Sequence, residues 1–144
     1  MTTVVTPQPK EELTTGQWIT IGLITAIASV ATVLLAQAVA LAIWPDLALF
    51  KPLESFARSA LFTLVPALGA TGVFAWLAAR REDPVKAFRR VALVVLLLSL
   101  IPDYVLPVAH RTLLASSVAA FLHVVAAVVT VLMITAGYRR LSGN

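Results

Sequence analysis

The chain has 144 residues, 60% of them hydrophobic and only 12% charged, with a formal charge of +4 and no cysteine. A soluble domain carries roughly 45–50% apolar and about 25% charged residues, so the composition argues against one. The missing cysteine excludes thiol redox chemistry, disulfides and iron–sulfur ligation, and basic residues confined to short bursts between apolar runs point to membrane topology rather than to nucleic acid.

Residues 1–16, MTTVVTPQPKEELTTG, are polar and proline-containing. They lack the basic start, apolar core and small-residue cleavage site of a signal peptide, and read as a cytoplasmic tail. Residues 17–140 read as a single transmembrane domain with four apolar spans, about 18–44, 56–79, 88–108 and 113–138. Each is near the ~20 residues that cross a hydrocarbon core about 30 Å thick. None has the charged face of a soluble bundle helix or the apolar–polar alternation of a barrel strand. The expected fold is all-α: an integral membrane four-helix bundle, antiparallel and up-down-up-down, because the connections are short.

The first span offers a seam of small and hydroxyl residues: Gly22, Thr25, Ser29, Thr32 and Ala36. Gln37 lies about 28 Å along it from Trp18. The connection PDLALFKPLES has two prolines and mixed polarity, which suits a segment lying along the outer membrane surface. In the second span Ala67, Gly69, Ala70 and Gly72 offer close backbone approach, and Pro66 predicts a kink.

The loop RREDPVKAFRR carries Arg80, Arg81, Lys86, Arg89 and Arg90. With Lys10, Arg139 and Arg140 it makes eight basic residues on one side, against Lys51, Arg58 and Arg111 on the other. The positive-inside rule then places both termini and the middle loop in the cytoplasm. Trp18, Trp76 and Tyr138 fall at the cytoplasmic ends of spans, and Trp44 and Tyr104 towards the outer ends, as amphipathic rings prefer.

The third span ends in VLLLSLIPDYVLPVAH, where Asp103 stands between two prolines. From Phe88 it is about 22 Å along a helix, in the outer leaflet of the apolar layer. If Pro102 ends the helix, Asp103 instead opens a re-entrant or interfacial loop. A carboxylate at that depth must pair or protonate. Arg58, two residues into the second span, is the expected partner; Glu54, His110 and Arg111 complete an outer polar group. Gln37, Arg58, Asp103 and His123 are therefore the candidate ligand-binding cluster at the outer mouth, with a helix-end clamp as the structural alternative. His123, about 15 Å into the fourth span, sits in a seam with Ser116, Ala120, Ala127 and Thr130. An intramembrane histidine is a functional candidate, or a hydrogen-bond donor to a neighbouring helix.

No catalytic constellation appears: there is no Walker loop, HExxH or GxSxG. Two histidines without cysteine do not make an ordinary zinc site, and no metal or cofactor is expected. FRRVALVVLLLSLIPDYVLPV followed by LLASSVAAFLHVVAAVVTVLMI resembles a family of small uncharacterised four-span bacterial membrane proteins of actinobacteria and Chloroflexi. Phe88–Arg89, Ser99, Pro102 and the seam around His123 carry the likeness. The resemblance implies four spans and a bacterial membrane location, and no activity.

The expected function is a non-enzymatic integral membrane protein, an accessory, assembly or structural subunit packing through small-residue seams. Its expected partners are the lipid bilayer and a larger membrane complex or a homo-oligomer, and not nucleic acid. The alternative is a small-molecule or ion transporter or binding protein using the outer polar site.

Overall fold

The computed structural model describes residues 12–143; the expected polar tail over 1–16 lies mostly outside them. The fold is all-helical: α1 (Thr15–Ile43), α2 (Phe56–Arg80), α3 (Pro84–Val105) and α4 (Leu113–Leu141). Two short 3-10 turns, Pro45–Leu49 and Lys51–Leu53, join α1 to α2. Of the four, α1, α2 and α4 are long and apolar enough to cross a membrane. α3 is shorter, at 22 residues, and carries Arg89, Arg90 and Asp103.

Each helix begins where the sequence supplies an oxygen to its unpaired amides. Thr14 and Gln17 form a reciprocal capping box on α1. Ser55 caps α2, accepting from the Arg58 amide at 3.3 Å. Asp83 caps α3 ahead of Pro84, accepting from the Lys86 amide at 2.9 Å, and Thr112 caps α4 at 3.0 Å. Both interior prolines are absorbed: α2 runs through Pro66 and α3 through Pro102. Asp103 therefore stays on its helix and does not open a re-entrant loop.

α1 packs against α2 and α4, and α3 packs against α2 and α4. At one end four aromatic rings, one from each helix, lock together. Phe74 meets Phe88 edge-on at 5.0 Å and Tyr138 at 5.1 Å, and Trp18 stacks on Tyr138 at 6.0 Å. At the other end the 3-10 turns fold inward. Leu47, Phe50 and Leu53 are buried with Val33, Ala115, Val118, Ala119 and Leu122. The segment expected along the membrane surface is thus a plug whose apolar side chains enter the helix ends. Between the ends, the outward faces are leucine, isoleucine, valine and phenylalanine, many more than half exposed. Such a surface is stable only against lipid or another apolar partner.

The small-residue seams are partly as expected. Gly22, Thr25 and Ser29 are buried on α1, but the stripe continues through Val33 and Gln37. Thr32 points outward and bonds its own helix at the Ala28 carbonyl, 2.8 Å away. On α4, Ser116, Ala120 and Thr130 are buried while His123 is exposed. The seams meet where the Ser29 and Thr130 hydroxyls bond at 3.0 Å. On α2, close approach comes at Ala67 and Thr71, both buried, and not at Gly69 and Gly72. A Cβ added at either of those glycines meets nothing within 4 Å. Gly22, by contrast, lies against Thr71, where an added Cβ sits 3.4 Å from the methyl group.

Candidate functional site

The residues with chemistry to offer gather where α3 meets α4. α3 is the peripheral helix: it buries only Pro84, Phe88 and Asp103. Asp103 is 9% exposed, and its Oδ2 stands 3.3 Å from His123 Nδ1 on α4. Nδ1 also faces the Ala119 carbonyl at 2.9 Å. A carbonyl only accepts, so Nδ1 carries the proton. That proton is directed along the helix to Ala119, and Asp103 Oδ2 has no aligned hydrogen-bond partner. The carboxylate and imidazole are in electrostatic contact rather than in a well-formed hydrogen bond.

The backbone secures the same junction. Ser116 Oγ donates to the Asp103 carbonyl at 2.6 Å. Arg111 donates to the carbonyl of Tyr104, and the Tyr104 hydroxyl donates to Ser117 Oγ at 3.4 Å. The intervening loop turns at His110, whose φ of 58° is in the left-handed region. Short polar side chains and histidine tolerate that region better than branched ones.

The expected cluster of four residues divides into three separate arrangements. Asp103 and His123 come together. Arg58 does not pair with Asp103: its Nη2 binds Glu54 Oε1 at 3.0 Å, and its Nη1 donates to the Lys51 carbonyl. One helical turn separates Glu54 from Arg58, so this pair forms locally as α2 begins. Gln37 is fully buried, and its Nε2 donates to the Leu53 carbonyl at 2.9 Å. Gln37 thereby fastens the 3-10 plug to α1, and its Oε1 has no partner among the described residues.

Chemically, the Asp103–His123 pair can hold or pass one proton. The His123 side chain is 43% exposed, and no contact within the described residues engages Nε2. A neutral imidazole presents Nε2 as an acceptor; a protonated one presents it as a donor. The sequence placed both residues in one candidate cluster but assigned Asp103 to Arg58, because helices apolar on every side hold few cues to rotation about each helix axis. The aromatic lock was missed in the same way. Trp18 and Tyr138 were legible as interfacial rings, whereas Phe74 and Phe88 look like any other lipid-facing phenylalanine.

Residues 13–140 match a family of unknown function, DUF6069. The chain belongs to that family. The match runs from the cap of α1 to the last turn of α4, so all four helices and the Asp103–His123 junction lie within it. The family is uncharacterised, as the resemblance implied. No curated protein and no solved structure matches the chain.

Proposed function

We propose that this is a four-span, antiparallel integral membrane protein of the bacterial plasma membrane, non-enzymatic, serving as an accessory, assembly or structural subunit. The observation that carries the reading is the state of α3. It is tied at Phe88 and Asp103, and the stretch between has no buried residue. Leu93, Val94, Val95, Leu97, Leu98 and Ile101 are each more than half exposed. A helix whose middle half-buries Ala92, Leu96, Ser99 and Leu100 and bares the rest leaves its outer face for lipid or for a transmembrane helix of a larger complex.

The third span and the helix directions draw support from the contacts. Phe88 near the start of α3 and Tyr138 near the end of α4 meet the same ring, Phe74 of α2, while Asp103 joins Ser116 and His123 in the first half of α4. Side chains tilt towards the N-terminus of their own helix. In opposed helices Asp103 and His123 therefore lean towards each other. The eight basic residues assigned to the aromatic end favour the cytoplasm there.

Reporter fusions test the topology. One placed after Arg140 scores cytoplasmic and one placed between Asp46 and Leu49 scores external; the reverse result rejects the orientation. Native purification in nanodiscs tests the role, with a stoichiometric co-purifying membrane protein as the expected result. A chain that emerges alone, or only with copies of itself, removes the accessory reading.

A second reading, a binding or transport protein for a small molecule or ion, has one observation in its favour: the half-exposed imidazole beside a buried carboxylate. An Asp103→Leu/His123→Leu variant separates the two. Apolar replacement of a charged pair set among apolar side chains is often neutral for stability, so a clamp survives it and a binding site does not.

A further inference from the structure

The aromatic end carries a groove of about 440 Å³ between the start of α3 and the end of α4. Lys86, Arg89 and Arg90 enter it from α3, and Arg139 from the last turn of α4. Positions 86, 89 and 90 share one helix face. The single carboxylate lining it, Asp83, is engaged at Oδ1 as the α3 cap. None of the four cations joins an ion pair among the described residues. Val85 and Leu93 form an apolar wall, and Leu93 is 56% exposed towards the side of the helix that continues as bare leucine and valine.

We propose that this groove binds the phosphate of an anionic phospholipid. Four cations against one occupied carboxylate give the complementary charge. The wall decides the source of the phosphate: a soluble anion or an acidic protein leaves Val85 and Leu93 wet, whereas a lipid covers them with its acyl chains. The level also fits. Trp18 stacked on Tyr138, and Trp76 with Arg80 4.9 Å above its ring, mark this end as headgroup depth. The inference rests on the membrane-spanning reading, because the groove must face a bilayer.

The test uses the full chain in nanodiscs of mixed phosphatidylglycerol and phosphatidylcholine, with native mass spectrometry of the lipids retained on release. The wild type retains phosphatidylglycerol in excess. The Arg89→Gln/Arg90→Gln/Arg139→Gln variant loses that preference by about fivefold per cation removed, and the corresponding triple lysine variant keeps it. Arg80→Gln/Arg81→Gln/Arg140→Gln removes the same charge from the same end, outside the groove, and keeps the preference. Equal loss in both glutamine variants, or none in the groove variant, overturns the site. Displacement of the lipid by millimolar inorganic phosphate overturns the lipid as ligand. Extraction of the chain from membranes by alkaline carbonate overturns the spanning reading and the site together; an embedded chain with unchanged lipid preference overturns the site alone.

Discussion

Phe88 and Asp103 hold α3 at its two ends, about 22 Å apart along the helix, with no buried residue between them. One tie is aromatic packing and the other is polar. Loosening the polar tie frees that end of α3 while the aromatic lock still holds the other. Asp103→Ala accordingly speeds hydrogen exchange over residues 99–105 and leaves residues 84–90 protected. In a double-mutant cycle with His123→Ala, the coupling is about 0.5–3 kcal/mol. Additive effects mean that the two side chains do not interact.

Phe74 touches rings from three other helices and is fully buried. Phe74→Ala leaves those rings facing a void and costs about 3 kcal/mol, read as a lowered thermal midpoint in detergent. Gly72→Ala, on the same helix but with open space around the new methyl group, changes stability by about 0.5 kcal/mol or less. Equal effects at the two positions contradict the packing described.

Gln37 is the fastening of the 3-10 plug. Gln37→Leu removes the donor from the buried Leu53 carbonyl, which costs about 1–3 kcal/mol. The plug loosens, so limited proteolysis between Pro45 and Leu53 becomes faster than in the wild type. An unchanged cleavage rate shows that Leu47, Phe50 and Leu53 hold the plug by packing alone.

Arg58 pairs with Glu54 at the surface rather than with Asp103. Exposed pairs of this kind contribute about 1 kcal/mol or less. Arg58→Ala therefore has a small effect on thermal stability and none on hydrogen exchange around Asp103. A large effect at Asp103 restores the pairing that charge and depth alone suggest.

The sequence by itself determined the apolar helices and the identity of the polar exceptions. Helix length and buried charge are local properties, written in runs of residues and in the cost of leaving a polar group in hydrocarbon. Ser29 and Thr130 were also legible, because a small-residue seam has helical spacing. Tertiary structure alone decided the partners. Arg58 turned to Glu54 because a neighbour one turn away is reached before any distant carboxylate. Asp103 met His123 because the rotation of α3 about its axis places both on the α3–α4 contact. Gly69 and Gly72 face outward for the same reason: in a helix apolar on every side, lipid-facing and bundle-facing residues look alike, and only the packing of the other three helices separates them.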